Sequence, residues 1–189
     1  MTCDVADREA VRVALSEVVG RYGRIDGIIH GAGVLRDGFF DQMAPEDFSL
    51  TVDVKVTGAW NLFSAAEGAG LRFFAGLSSV ASIQGNPGQT NYAAANRMMS
   101  ELLRHLRRKN GTLRFKALML PPIEGAGMAE SPEVRDMLRR RGVAYVHVKE
   151  LAGLFCRELV AATDNDVWVM FIRALPPVKT APLGDVSQP

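Results

Sequence analysis

At 189 residues, 48% hydrophobic and 23% charged, the chain has globular composition, which excludes a disordered or fibrous protein; it is long enough for one domain and too short for two comfortable ones. Lys and Arg number 22 against 21 Asp and Glu, and the net charge of +1 gives no bulk attraction to nucleic acid or an anionic membrane. No apolar run reaches the roughly 18 residues that span a bilayer, and Met1-Thr2-Cys3-Asp4 lacks the basic and apolar segments of a signal peptide.

Residues 7–22 carry Val11, Leu15, Val18 and Val19 at helical spacing, with charges between them. Ile25-Asp26-Gly27-Ile28-Ile29-His30 is a short apolar run stopped by Gly31-Ala32-Gly33, and predicts a buried strand. Pro45 suits the first turn of a long helix running to about residue 69, with Gly70 as its cap. Residues 71–79 contain Phe73-Phe74-Ala75-Gly76-Leu77 and predict a second strand. A helix over 90–109 ends in Arg104, Arg107, Arg108 and Lys109, cations that suit the negative end of the helix dipole. That cluster reads as a solvated helix end, with a docking patch as the alternative. Residues 114–120 form a third strand, halted by Pro121-Pro122. Helices follow over 133–141 and 149–162, and a last strand over 167–172.

Strands alternating with helices, each strand apolar on both faces, predict an α/β fold with a parallel sheet covered on both sides. Pro176, Pro177, Pro182 and Pro189 with little apolar content predict a linker or unfolded tail over 176–189 after a domain over 1–175. Cys3 and Cys156 lie far apart, which excludes a disulfide framework and a cysteine zinc site and makes a reducing, cytoplasmic setting the default. His30, His105 and His147 are scattered, so no metal site is expected. His30, at a strand end, reads as a hydrogen-bonded turn residue. A nucleotide-binding sheet normally opens on a strand, a G-x-G-x-x-G turn and a helix. Gly31-Ala32-Gly33 holds two of those glycines, but Arg36 stands where the third would be.

Tyr92 and Asn96, four apart, share one face of a predicted helix. Ser79 falls at the carboxyl end of a predicted strand, where open α/β sheets bind ligands. Lys55 lies within the long helix before it. An ammonium near a phenol favours the phenolate, and a neighbouring hydroxyl can hydrogen-bond a carbonyl. Taken alone, Tyr92 would be a packing residue, Lys55 a solvated charge, and Asn96 a brace for neighbouring backbone.

Ser79-Val80-Ala81-Ser82 followed by Gly88-Gln89-Thr90-Asn91-Tyr92-Ala93-Ala94-Ala95-Asn96 resembles the active-site stretch of short-chain dehydrogenases/reductases, with the serine 13 residues before the tyrosine. Most members have Y-x-x-x-K and an asparagine on the preceding helix. Here Asn96 stands in the lysine position and Lys55 in the asparagine position, an exchange that resembles the ketoreductase domains of modular type I polyketide synthases. Asp4-Val5-Ala6-Asp7, His30-Gly31-Ala32-Gly33-Val34 and Asp37 agree, and the resemblance runs from about residue 2 to about residue 177.

The resemblance implies a Rossmann-like fold and an NADPH-dependent reduction, of the 3-oxoacyl-carrier-protein reductase type, of a β-ketoacyl thioester to the β-hydroxyacyl form. The acyl chain would be carried by phosphopantetheine on an acyl carrier protein, among other synthase domains. Tyr92 would donate the proton, Ser79 would orient the carbonyl, and Lys55 would lower the tyrosine pKa and touch the nicotinamide ribose. Asn96 would serve the proton relay. Asp4, Val5, Gly31, Ala32, Gly33, Lys55, Tyr92, Pro121 and Pro122 would line the cofactor. Asp37, Gln84, Pro87 and Asn91 would belong to stereocontrol. Gln84 where one class has tryptophan, with Pro87 and Asn91, resembles the B-type class that gives a D-configured hydroxyl, although Leu35-Arg36-Asp37 departs from its L-D-D motif.

Two further departures stand out. The chain begins where the third strand of such a domain would end, so the first βαβ unit and its glycine-rich turn are expected to be missing, leaving an apolar edge on the strand at 27–30. Pro121-Pro122 replaces a Trp-Gly type of sequence. A scaffold module of the same fold that binds no cofactor alone, and a free-standing short-chain dehydrogenase, are the competing readings.

Overall fold

The computed structural model describes residues 1–125, 132, 135, 136, 138, 143–161 and 166–171. Most of the helix expected over 133–141, the last residue of the final strand, and the tail over 176–189 lie outside them.

Helix α1 spans Arg8–Tyr22. Asp7 caps its start, its Oδ1 accepting from the N–H groups of Glu9 and Ala10, and Gly23 closes it at φ 82°, a conformation open to glycine without steric cost. Strands β1 (Gly27–His30), β2 (Phe73–Ser79), β3 (Arg114–Leu120) and β6 (Trp168–Met170) pair in parallel in the order β1-β2-β3-β6. A small parallel pair, β4 (Ile123–Glu124) with β5 (Val146–His147), follows the Pro121-Pro122 break. The expected parallel α/β architecture is what the chain adopts. β1 lies at the edge of the described sheet, with Ile29 52% exposed.

The two sheet faces carry separate cores. Phe74 and Phe115 face α1, α3 (Gly58–Ala65) and α5 (Thr90–Lys109), where Phe63, Met99, Leu103 and Leu106 pack on them. Ala75 and Leu118 face α6 (Val148–Cys156) with Leu151 and Phe171. Gly76 lets α5 lie close on β2, because a Cβ there would sit 2.9 Å from Leu103 Cδ1 and 3.0 Å from Met99.

Three sequence expectations change in detail. The helix expected over 45–69 is α2 (Pro45–Val52), a π turn over Asp53–Thr57, and α3, which ends at Ala65 rather than near Gly70. The π turn sits at Lys55, where the buried His30 ring hydrogen-bonds the Lys55 carbonyl at 3.1 Å, a partner from outside the helix. A short helix α4 (Ala81–Gln84) follows β2 without a sequence signal. Nor is β3 wholly apolar: Lys116 is buried on it and pairs with Glu158 Oε2 at 3.2 Å. No helix of the described residues is long and apolar enough to cross a membrane.

Candidate active site

Ser79 ends β2, and α5 starts eleven residues later, so the carboxyl edge of the sheet and the first turns of α5 meet at one place. The Ser79 Oγ accepts from the Ala81 N–H at 3.2 Å, which fixes the turn into α4. Tyr92 is in the first turn of α5. Burial raises the pKa of its phenol above the ordinary value; the nearby Ser79 and Asn96 side chains act the other way, and the charge of Asp37 pushes it further up. The structure therefore brings Tyr92, Ser79, Asn96 and Asp37 within reach of one another.

The Lys55 Nζ donates to the Leu77 carbonyl at 2.7 Å, and the charge acting on the phenol is that of Asp37. The expected lowering of the Tyr92 pKa by Lys55 is thus replaced by a raised phenol. The reason is desolvation by burial, the largest influence on the phenol. The same desolvation lowers Lys55 itself to about 8. His30, packed behind it, is lowered to about 4 by burial and then by the Lys55 charge, so it is neutral at pH 7 and donates to the Lys55 carbonyl.

Asn96 is fully buried. Its Nδ2 donates to the Tyr92 carbonyl at 2.8 Å, one turn back, while its Oδ1 is buried with no hydrogen-bond partner. A buried acceptor left open beside a phenol suits a hydroxyl or water that arrives with a ligand.

Asp37 Oδ2 accepts from Gln89 Nε2 at 2.7 Å, and Gly38 bridges Gln89, its N–H reaching the Gly88 carbonyl at 2.8 Å. Asn86 Nδ2 in turn donates to Gln89 Oε1 at 2.8 Å. Asn91 is a knot in the same region: Nδ2 donates to the Arg36 carbonyl (2.7 Å) and to Thr51 Oγ1 (3.2 Å), and Oδ1 accepts from the Tyr92 N–H (2.8 Å). Asn91 is fully buried and ties the Arg36 backbone and Thr51 to the start of α5. Gln84, the last residue of α4, and Pro87, between α4 and α5, are exposed. Gln89 carries no sequence signal, because only folding brings residue 37 beside it.

The residues expected to line a cofactor form a second group. Val5 packs on Gly58, where an added Cβ would stand 2.8 Å from Val5 Cγ2 and 3.4 Å from His30 Cε1. The Val5 and Ala6 carbonyls accept from Asn61 Nδ2 at 3.0 and 3.1 Å, which holds the segment after Asp4 against α3. Gly31-Ala32-Gly33 follows β1 directly, at the same end of the sheet as Ser79. Pro121 is buried and Pro122 gives its carbonyl to the Val146 N–H; neither has an N–H to donate, so this pair offers a ligand apolar contact.

Known proteins resemble this chain over most of its length. A family model described as the KR domain matches residues 1–120. The phenolphthiocerol synthesis polyketide synthase type I Pks15/1 of Mycobacterium marinum is 36% identical over 171 residues, covering 89% of this chain and 8% of that protein. Highly-reducing polyketide synthase 1 of Aureobasidium melanogenum is 36% identical over 170 residues, covering 87% of this chain and 8% of that protein. The chain thus spans 8% of the length of these relatives. A solved ketoreductase domain from the bacillaene assembly line superposes with a TM-score of 0.79 at 30% identity, over 88% of this chain and 40% of that one. A short chain dehydrogenase from Burkholderia cenocepacia, solved in complex with NADP, has a TM-score of 0.80 over 91% of this chain and 74% of that one; at 20% identity it shows the fold alone.

Proposed function

This chain belongs to the KR domain family, the ketoreductase domains of polyketide synthases, and on that premise we propose that it reduces a β-ketoacyl thioester on an acyl carrier protein to the β-hydroxyacyl form. The observation that carries the reading is the placement of the Tyr92 phenol, in the first turn of α5, beside the side chains of Ser79 and Asn96 at the carboxyl end of β2. Reduction of a ketone needs a group that gives a proton to the oxygen on which negative charge develops; a phenol is protonated at neutral pH, and the Ser79 and Asn96 side chains, which favour its ionised form, act against the burial that makes it a weaker acid.

The fold offers a fitting place for NADPH, since Asp4 and Val5, Gly31 to Gly33, Lys55, Tyr92 and the Pro121-Pro122 turn can hold it. When bound, that cofactor supplies the hydride that forms the new C–H bond as the carbonyl π bond opens. Ser79 Oγ orients the ketone oxygen, and Tyr92 gives that oxygen its proton, leaving a phenolate. The open Asn96 Oδ1 holds the water through which the phenolate is reprotonated. Each of these contacts strengthens as charge builds on the substrate oxygen, so each favours the transition state over the ketone. Lys55, whose ammonium lies on the strand that ends in Ser79, would hold the cofactor's ribose when the cofactor is bound.

The loop at Asp37, tied to Gln89, supports a B-type face selection giving the D-configured hydroxyl, with Gln84 and Pro87 on the facing segment. The carrier protein's phosphopantetheine arm and the neighbouring synthase domains are the partners this reading requires. The test is NADPH consumption with a β-ketoacyl thioester, with the product identified by mass and by chiral chromatography. Turnover that Tyr92→Phe abolishes supports the proposal. Cofactor binding without turnover on any β-ketoacyl thioester overturns it.

A further inference from the structure

Resting on that role for Tyr92 and Asn96, we propose that Ser78 and Ser100 form a positioning pair: a buried hydroxyl bracket that sets the spacing between the strand carrying Ser79 and the helix carrying Tyr92. Ser78 is 3% exposed and Ser100 fully buried, in a seam otherwise made of Met99, Leu103 and Phe74. The two Oγ atoms are 3.0 Å apart, Ser100 Oγ is 2.8 Å from the Asn96 carbonyl, and Ser78 Oγ is 3.3 Å from the same oxygen. Two hydroxyl protons serve these three contacts. The link closes when one hydroxyl donates to the other while the second donates to the Asn96 carbonyl, and either serine has the geometry for either part.

The bracket acts on the site because of where its ends lie. Ser78 is the residue before Ser79. The Asn96 carbonyl belongs to the residue whose amide holds Tyr92 and whose Oδ1 stands open. Ser100 is itself anchored from the far side, since Trp168 Nε1 donates to its carbonyl at 3.1 Å and Arg97 lies 4.3 Å over the Trp168 ring. A pair of alanines would fill this seam with apolar packing. Two hydroxyls instead fix a direction and a distance, which packing alone leaves free.

The experiment compares Ser78→Ala, Ser100→Ala and the double variant with Ser100→Thr, in the full chain, using NADPH and a β-ketoacyl thioester. The expected result for the double variant is kcat lower by about tenfold or more with KM within about twofold. The alkaline limb of its rate profile assigned to the phenol should move upward as Tyr92 loses the help of Ser79 and Asn96, and Ser100→Thr should restore both. A folded double variant with wild-type kcat and pH profile overturns the bracket. If the double variant does not fold, Ser100→Ala alone is measured in the same two ways: a lower kcat with a shifted limb supports the bracket, and wild-type values for both overturn it. Tyr92→Phe is run beside them: full activity there sinks the reading of the site itself, whereas a dead Tyr92→Phe with an unaffected double variant sinks only the bracket.

Discussion

The Lys55 ammonium is held by the Leu77 carbonyl at 2.7 Å, on the strand that ends in Ser79. This parks a buried cation at the carboxyl edge of the sheet. The division of labour follows: the phenol stays an acid, and the ammonium is a separate titrating group at about 8.

Tyr92→Phe removes the proton donor and leaves the fold. Turnover of a β-ketoacyl thioester should fall by about two to four orders of magnitude while NADPH binding is retained. Parallel measurement of kcat and of cofactor binding by fluorescence checks this; a variant that loses both has been damaged in some other way.

Lys55→Met should fold, since it exchanges a desolvated ammonium for an apolar chain of similar length. In the wild type the ammonium is present below its pKa of about 8 and lost above it, so the rate should decline through that region. In Lys55→Met the rate should be lower throughout and the decline near pH 8 absent. A limb at pH 8 that persists in the variant belongs to another group.

His30 makes stability depend on acid pH. Its folded pKa of about 4 lies below its unfolded 6.5, so the unfolded chain takes up the proton first as pH falls. Stability is therefore intact above about pH 6.5 and drains away between there and pH 4, by up to about 3 kcal/mol from this one group. His30→Gln, which keeps a donor for the Lys55 carbonyl, should flatten that slope. Urea unfolding at a series of pH values measures it, and equal slopes in the two proteins would falsify the assignment.

Gln89→Ala cuts the Asp37 tie at 2.7 Å and frees the loop on one side of the site. The product should lose stereochemical purity with a modest fall in rate. Gln89→Glu should do more, because it sets two carboxylates against each other. The ratio of hydroxyl configurations, read by chiral chromatography, decides; unchanged purity in both variants would remove the loop from stereocontrol.

Much of the fold was legible because its signals are local. Short apolar runs stopped by Gly31 or by Pro121-Pro122 marked strands, and the arginine-rich end of α5 marked a helix terminus. The π turn at Lys55 was not legible: it depends on His30, twenty-five residues away, supplying a partner for a helix carbonyl. The Ser79–Tyr92 spacing and the Asn96/Lys55 exchange pointed to the site, but Gln89, Ser78 and Ser100 carried no pattern of their own. Lys116 reads as a break in an apolar strand until Glu158 is found beside it.

By itself the sequence determined the alternation of strands and helices, and which side chains could do acid and hydrogen-bonding chemistry, because both are properties of residue type and spacing. Only the tertiary structure decided the protonation of those groups. Burial raises the phenol and lowers the ammonium, and whether the ammonium meets the phenol or a strand carbonyl depends on how β2 and the π turn pack, which no local pattern encodes.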